Sequence, residues 1–262
     1  ARQAFASVSG MLTGESEPGS HDGAINGQWQ LDGVEVTYPD SQKPSLLGVS
    51  IAIEPGERIA VLGRGGSGKT TLARVLAGLI LPERGLVKLD QIELKRWSNA
   101  SRAAGIGYLP QQPGFFAGSV RDNVLWGLEA VDEARLQRAA ELSGLSRFLA
   151  DWAAGWDQGV GEGGGELSGS QRTAVALARL IVRDTATVVM DEPTSNLDAR
   201  SEVELRANLK PWLDGRGLVL VTHRSAMLAW VDRIVVVEGG RIVADGPKEE
   251  VLTMLKMKQA QA

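Results

Sequence analysis

The stretch that decides the fold is IAVLGRGGSGKT, residues 59–70. Its first four residues, Ile59 to Leu62, are all apolar, which is typical of a strand buried on both faces of a parallel sheet. The next eight, Gly63 to Thr70, fit the pattern G-x4-G-K-[ST], and helical spacing follows from Thr70 to Leu81. Glycines here let backbone N–H groups turn inward around a phosphate, and a helix start adds the positive end of its dipole. The sequence therefore predicts a strand, a phosphate-binding loop and a helix in succession.

Other buried strands and helices alternate around this stretch. Continuous apolar runs predict strands at Thr187 to Met190, Leu218 to Val221 and Ile234 to Val237. Helical spacing occurs at Asp132 to Leu142, Gln171 to Val182 and Ala199 to Leu213. Alternating residues predict antiparallel strands from Trp29 to Tyr38, with a slip at Asp32-Gly33, and from Leu47 to Ile53, whereas Phe115 to Gly169 has helices but no strong buried strand. We predict an α/β fold, a P-loop NTPase core with a parallel sheet, an antiparallel β subdomain and a helical insertion.

Composition excludes several kinds of site. The 262 residues contain no cysteine, so disulfides, zinc–thiolate sites and cysteine nucleophiles are excluded, and two histidines do not build a metal site. A net charge of −4 argues against nonspecific nucleic-acid binding, so we expect no nucleic-acid partner. No run approaches the ~18 apolar residues of a membrane span. Glycine accounts for 32 of the 262 residues, about 12%, against an average of about 7%, and phosphate-binding loops explain part of that surplus.

Two acids follow the predicted strand at 187–190. Because an α/β sheet presents the carboxyl ends of its strands to the ligand, Asp191 is placed to hold a Mg²⁺ shell and Glu192 to polarise an attacking water. In the glycine-rich loop, Lys69 would reach the β- and γ-phosphates and the Thr70 hydroxyl would bind Mg²⁺. The two motifs together predict nucleotide hydrolysis.

The ordered set of motifs from Trp29 to about Leu255 resembles the ATP-binding cassette (ABC) ATPases. The resemblance implies that Tyr38 stacks on adenine, that Gln111 senses Mg²⁺ and that His223 contacts the γ-phosphate as the family's switch histidine. The segment LSGSQ, residues 167–171, matches the family signature, and SNLD, residues 195–198, matches its D-loop.

The resemblance also implies ATP and Mg²⁺ as cofactors and a defined set of site residues. The catalytic residues would be Lys69, Glu192 and His223. The Mg²⁺ ligands would be Thr70, Gln111 and Asp191. The nucleotide-binding residues would be Tyr38, Gly63, Arg64, Gly65, Gly66, Ser67, Gly68, Lys69, Thr70, Thr71, Gln111, Ser168, Gly169, Ser170, Gln171 and Asp198.

ABC ATPases bind ATP between two such domains, with the signature of one facing the phosphate loop of the other. The resemblance therefore implies a second nucleotide-binding domain as partner, in a homodimer or a heterodimer. The family normally has glycine at the fourth signature position, where this chain has Ser170. A side chain there either crowds the partner's phosphate or loses a permitted backbone angle, or it is harmless because a hydroxyl can donate to a phosphate. We favour a working signature, and the alternative is pairing with a different subunit.

Two segments resemble those of exporters, VGEGG at residues 160–164 and FFAGSVRDN at residues 115–123. The opening Ala1 to Phe5 resembles the end of the last membrane helix in peptide and protein exporters of the bacterial type I secretion kind. The resemblance implies a transmembrane partner domain and a position at the cytoplasmic face of the inner membrane. The alternatives are a soluble ABC ATPase, a small-molecule kinase, which would leave the signature unexplained, and a nonhydrolytic cassette, which Glu192 and His223 disfavour.

The same reasoning divides the chain at residue 28. Residues 1–28 are predicted to be the end of a membrane-domain helix, with amphipathic spacing from Ala1 to Leu12, followed by a glycine-rich linker from Thr13 to Gln28. The alternative for Ala1 to Leu12 is a disordered end. Residues 29–262 are predicted to be the nucleotide-binding domain, with a helical subdomain at about 115–170. His21 lies in the linker, and the sequence assigns it no role.

Overall fold

The computed structural model describes the backbone of residues 19–260 and the side chains of residues 19–257. Contacts divide the chain into two compact units. The first contains the described chain up to Ile106, Ala186–Val189 and the residues from Arg216 onward, and the second contains Gly107–Thr185 and Met190–Gly215. The predicted helix at 1–12 and the first part of the predicted linker, residues 13–18, lie outside the described residues.

A four-stranded antiparallel sheet is built from β1 (Trp29–Val36), β2 (Leu46–Ile53), β4 (Arg84–Leu89) and β5 (Ile92–Glu93), in the order β2-β1-β4-β5. Its first two strands alternate buried and exposed residues because one face packs inward. The register of β1 against β2 shifts between Leu31 and Val34, where the sequence pattern slips. The predicted antiparallel pair is confirmed.

A six-stranded sheet contains β3 (Arg58–Leu62), β6 (Ile106–Leu109), β7 (Thr187–Asp191), β8 (Gly217–Val221), β9 (Arg233–Glu238) and β10 (Arg241–Pro247). Its order is β10-β9-β3-β8-β7-β6. Strand β3 pairs in parallel with both β8 and β9, and β10 runs antiparallel to β9 at one edge. All five residues of β7 and of β8 are buried, as continuous apolar runs predict. The parallel core is confirmed, and β10 is an addition that the sequence patterns did not predict.

The helices are α1 (Lys69–Leu76), α2 (Asn99–Gly105), α3 (Val120–Val124), α4 (Glu133–Ser143), α5 (Leu145–Asp151), α6 (Gly169–Arg183), α7 (Ala199–Leu213) and α8 (Lys248–Ala260). Helix α1 ends five residues before the predicted Leu81, because Gly78 adopts the left-handed region and its N–H bonds to the Val75 carbonyl. Among the described residues, none of the helices combines the length and apolar character that a membrane crossing requires.

In the second unit, α4 packs against α6 and α7, and α6 also packs against α3. The apolar side chains of these helices form its core. Its fully or nearly fully buried members include Val120, Val124, Leu136, Ala139, Leu145, Val175, Leu177, Leu205 and Leu209. The predicted helices at 132–142, 171–182 and 199–213 are confirmed, and each begins directly after a residue whose side chain caps its first turn.

Residues 19–28 form an extended segment held along the first unit. The His21 N–H donates to the Arg96 carbonyl at 2.9 Å, and the Ser98 N–H donates to the His21 carbonyl at 2.9 Å. The Asp90 carboxylate accepts from the N–H groups of Asn26 and Gln28, at 2.6 and 2.9 Å. Composition indicates a linker here, and the structure adds that this part of the chain is anchored by backbone hydrogen bonds.

The anchored segment leads to a stability prediction at Gly105. A Cβ at this position would lie 2.5 Å from the Cβ of Ile25, which is buried. We expect Gly105→Ala to lower the free energy of unfolding by about 1–3 kcal/mol, because the clash forces Ile25 out of its site. Gly114→Ala is the matched control, since nothing lies within 4 Å of its added methyl group. Urea unfolding followed by circular dichroism measures both, and equal stabilities of the two variants would contradict the packing of Ile25 on Gly105.

Candidate nucleotide site

The loop Gly63–Thr70 connects β3 to α1 and is held at two positions where only glycine fits. Gly63 has a φ of +153°, and a Cβ there would lie 2.2 Å from the Val237 carbonyl oxygen. Gly68 has a φ of +107°, and its Cβ would lie 2.4 Å from the Ser45 carbonyl oxygen. Any side chain at either position would push the loop away from its neighbours. The backbone of the loop is therefore fixed by contacts on both sides.

Lys69 and Ser67 supply the polar side chains of this loop. The Lys69 ammonium donates to the carbonyls of Gly63 and Arg64, at 2.9 and 2.8 Å. An ammonium has three donors, so one remains for a ligand. The Ser67 hydroxyl oxygen is buried, and no residue within the described part of the chain hydrogen-bonds to it. Buried polar groups are normally paired. An available ammonium donor and an unsatisfied hydroxyl are features that a phosphate group would complete.

The switch-histidine position lies at the same sheet edge as the loop. Strands β3 and β8 are parallel with Val61 opposite Val221, so Gly63 and His223 each begin just beyond the carboxyl end of a neighbouring strand. Thr222 is buried, and its hydroxyl oxygen accepts from the Arg224 N–H at 3.1 Å. His223 itself is exposed. Parallel pairing thus brings the predicted loop and the predicted histidine to one edge.

Tyr38 lies beside the first turns of α1. Its hydroxyl is 3.4 Å from the Thr71 hydroxyl and accepts a hydrogen bond of 3.1 Å from Arg74. The structure therefore places the predicted adenine-stacking residue next to the phosphate-loop helix. Sequence reasoning missed Arg74, although its spacing of three residues from Thr71 puts both on one helix face.

The two acids of the second unit occupy the end of β7 and the turn that follows. Asp191 is the last residue of the strand and is buried. Glu192 has a φ of +52°, in the left-handed region that costs a residue with a Cβ about 1–2 kcal/mol. Its carbonyl accepts from the Ser195 N–H at 3.2 Å, which closes the turn. Such strain concentrates at functional sites, and no sequence pattern pointed to it.

The signature segment forms the start of α6. Ser168 is the N-cap: its hydroxyl oxygen accepts from the Gln171 N–H at 3.3 Å, and the Gln171 side chain accepts from the Ser168 N–H at 2.8 Å. This capping box leaves the N–H groups of Gly169 and Ser170 at the positive end of a 15-residue helix. The arrangement suits an anion.

Ser170 occupies a helical conformation, and it is absent from the residues with positive φ among those the structure describes. The possibility that serine loses a backbone angle here is therefore wrong. Its hydroxyl lies 3.3 Å from the Ser168 hydroxyl.

The predicted D-loop residue also caps a helix. The Asp198 carboxylate accepts from the backbone N–H and the hydroxyl of Ser201, at 2.8 and 3.3 Å, at the start of α7. The backbone hydrogen bond from Ser201 is the main cause that lowers the pKa of Asp198. For Gln171 and Asp198 the structure thus shows capping roles, and nucleotide contact by either stays a prediction.

Arg179 of α6 is half-buried, and sequence reasoning did not predict its contacts. Its guanidinium donates to the Asn123 carbonyl at 2.7 Å, to the Gly114 carbonyl at 2.8 Å and to the Asn123 side-chain oxygen at 3.0 Å. Burial lowers the pKa of Arg179 to about 10, which leaves it charged at neutral pH. Helix α6, which begins with the signature, is therefore hydrogen-bonded to the segment that follows Gln111.

Backbone hydrogen bonds join the two segments that resemble those of exporters. The Val120 N–H donates to the Gln158 carbonyl at 2.8 Å, and the Val160 N–H donates to the Gly118 carbonyl at 3.0 Å. Gly164 is buried against Phe115, whose ring lies 2.7 Å from where a Cβ at Gly164 would be. Residues 115–123 and 158–164 thus form one local structure.

The predicted Mg²⁺ ligands fall in both units, Thr70 in the first and Gln111 and Asp191 in the second. Hydroxyl, amide and carboxylate oxygens are ligands that suit Mg²⁺. Within the described residues, no group of three or more His, Asp or Glu side chains could hold a metal ion. The Mg²⁺ assignment to these three residues stays a prediction.

Residues 46–195, more than half of the chain, match the family described as ABC transporter. A solved structure of a bacterial Atm1-family ABC exporter with ATP bound superposes with a TM-score of 0.84 and 28% identity over 93% of this chain. The chain belongs to the ABC transporter family, and it carries the ATPase domain of that family.

Individual relatives transport different substances. The chain is 36% identical over 224 residues to an ATP-dependent lipid A-core flippase of Alkalilimnicola ehrlichii, covering 85% of this chain and 38% of the relative. It is 34% identical over 229 residues to the cyclolysin secretion/processing protein CyaB of Bordetella pertussis, covering 87% and 32%. It is 38% identical over 217 residues to the mycobactin import protein IrtB of Mycolicibacterium smegmatis, covering 83% and 38%. The chain thus spans less than two fifths of the length of these curated relatives.

The unsatisfied Ser67 hydroxyl leads to a prediction in which stability and binding separate. Ser67→Ala removes a buried polar atom without a partner among the described residues, so we expect the nucleotide-free protein to keep its stability or gain up to about 1 kcal/mol. The affinity for Mg·ATP should fall about 3- to 10-fold, the size of one hydrogen bond. Urea unfolding and titration calorimetry measure the two effects.

Ser98→Ala is the matched control for Ser67→Ala. The Ser98 hydroxyl caps α2, so we expect the Ser98→Ala variant to be about 1 kcal/mol less stable than the wild type. Its affinity for Mg·ATP should be unchanged. A Ser67→Ala variant that binds Mg·ATP as tightly as the wild type would contradict a phosphate contact by this hydroxyl.

Proposed function

We propose that this chain is the ATP-hydrolysing motor domain of an ABC exporter, which dimerises around Mg·ATP and drives transport through a membrane domain. The observation that carries the proposal is the geometry of the phosphate loop. Gly63 and Gly68 lie too close to neighbouring carbonyl oxygens to carry a side chain, and the buried Ser67 hydroxyl has no hydrogen-bond partner among the described residues. Family membership supports ATP as the bound nucleotide. The transporter relatives favour a membrane domain as partner over the alternative of a soluble ABC ATPase.

Each candidate residue has a role in this proposal. Lys69 binds the β- and γ-phosphates with the donor that the loop carbonyls leave available. Bound Mg²⁺ would neutralise charge on the phosphate oxygens, with Thr70 and Asp191 among its ligands. Glu192 removes a proton from the attacking water, and His223 contacts the γ-phosphate.

The start of α6 is assigned to a partner domain's nucleotide. Ser168 and the N–H groups of Gly169 and Ser170 would cap its γ-phosphate, which the capping box and the helix dipole favour. Because ATP would then touch both domains, it binds the closed dimer more tightly and shifts the population toward closure. Hydrolysis removes the shared phosphate and releases the pair.

We place the domain at the cytoplasmic face of the inner membrane, where ATP is available. The cyclolysin secretion relative supports a peptide or protein cargo. The flippase and the mycobactin import protein are as similar to this chain, so we assign the choice of cargo and its direction to a membrane domain.

Replacing the proposed base tests the motor. We expect Glu192→Gln to lower the ATPase kcat by about 10²- to 10⁴-fold, the range for a general base. Trapped ATP should also convert the variant from monomer to dimer, measured by light scattering after gel filtration with and without Mg·ATP. Lys69→Ala in the Glu192→Gln background is the control and should remain monomeric, because it loses the phosphate contact.

The outcomes of this test are distinct. A dimer that forms only with Mg·ATP shows that Ser170 supports a symmetric sandwich. A variant that binds ATP but stays monomeric refutes self-association of this chain and indicates a missing partner, either a different cassette or the membrane domains that hold two copies together. Full ATPase activity in Glu192→Gln would remove Glu192 from the mechanism.

A further inference from the structure

Tyr38 is held by two side chains of the phosphate-loop helix. Its hydroxyl lies 3.1 Å from a guanidinium nitrogen of Arg74 and 3.4 Å from the Thr71 hydroxyl. Thr71 and Arg74 are three residues apart on α1, so both face the tyrosine from adjacent turns. All three residues belong to the first unit.

Hydrogen-bond chemistry fixes which group donates in the contacts among Arg74, Tyr38 and Thr71. A guanidinium only donates, so the Tyr38 oxygen accepts from Arg74, and its own hydrogen is available for the Thr71 oxygen. A bond from a charged donor is stronger than one between neutral groups. Thr71 is 6% exposed, so the contact between the Tyr38 and Thr71 hydroxyls is shielded from water. The phenol is therefore tethered at its tip, and the faces of its ring take no part in the tether.

We infer that Arg74 is a positioning residue for purine recognition: it holds the Tyr38 ring in the orientation that accepts a base. The inference rests on the proposed function, in which Tyr38 stacks on the adenine of ATP. A ring that is oriented in advance loses less conformational freedom when the nucleotide binds. Since α1 starts at Lys69, the same helix presents a phosphate ligand at one end and orients the base-stacking ring one turn further on.

A comparison of two ligands, one with a base and one without, separates this role from a purely structural one. Titration calorimetry on the 262-residue chain would measure the affinities for Mg·ATP and for Mg²⁺ with inorganic triphosphate, which has no base. We expect Tyr38→Phe and Arg74→Met each to weaken ATP binding about 3- to 10-fold, the size of one hydrogen bond, because either change releases the ring. Triphosphate binding should stay within about twofold of the wild type, because the phosphate loop is unchanged.

A double-mutant cycle assigns the effect to the pair. Arg74 makes a further interaction besides the bond to Tyr38, so its single variant alone does not isolate the tether. If the tether acts as inferred, the Tyr38→Phe/Arg74→Met variant binds ATP as weakly as either single variant and no more weakly. Arg74→Lys, which keeps one charged donor, should recover part of the affinity. Arg84→Met is the matched control, since Arg84 is 81% exposed on β4, and it should change neither affinity.

The outcomes separate this inference from the proposed function. Additive losses in the double variant, equal losses for ATP and triphosphate, or unchanged ATP affinity in Tyr38→Phe would each overturn the positioning role. A wild-type chain that binds neither ATP nor triphosphate would instead refute the proposed function. If Arg74→Met does not fold, as circular dichroism would show, Tyr38→Phe and Arg74→Lys still decide the question.

Discussion

The contact on which the rest of the nucleotide site depends is that between Gly63 and the carbonyl of Val237. It holds the end of β3 beside β9 at the start of the loop, where a Cβ would come within 2.2 Å of the carbonyl oxygen. The direction of the loop, the start of α1 and the position of the Lys69 ammonium follow from that point. Parallel pairing of β3 with β8 then sets His223 at the same edge. Two backbone constraints thus bring residues from distant parts of the sequence together.

Helix α6 combines two tasks in the second unit. Its first turn, capped by Ser168 and Gln171, carries the signature. Further along the helix, Arg179 donates three hydrogen bonds, to the backbone carbonyls of Gly114 and Asn123 and to the Asn123 side-chain oxygen. A packed helix is stiff, so a displacement of the segment after Gln111 would move the signature with it.

The parts of the fold that local patterns determine were predictable. Strand β3 and helix α7 lie where the runs and spacings place them, because apolar periodicity and a capping aspartate act over a few residues. The anchored segment 19–28 was not, since its partner Asp90 lies more than 60 residues away and contacts only its backbone. The contacts of Arg74 and Arg179 were not predictable for the same reason: an arginine on a helix gives no sign of its distant partner. The left-handed φ of Glu192 has no sequence signature either.

The serine in the signature is best judged from local geometry. Position 170 is helical, so a side chain there costs no backbone strain, and the capping box of Ser168 and Gln171 forms in its presence. What the substitution adds is a second hydroxyl 3.3 Å from that of Ser168. The Ser168 oxygen accepts from the Gln171 N–H, and its second lone pair is available for a hydrogen donated by the Ser170 hydroxyl. The Ser168 proton would then be free to donate to a phosphate. The local structure therefore favours a working signature, and any asymmetry between partners would have to arise from how closely the partner's phosphate approaches this hydroxyl.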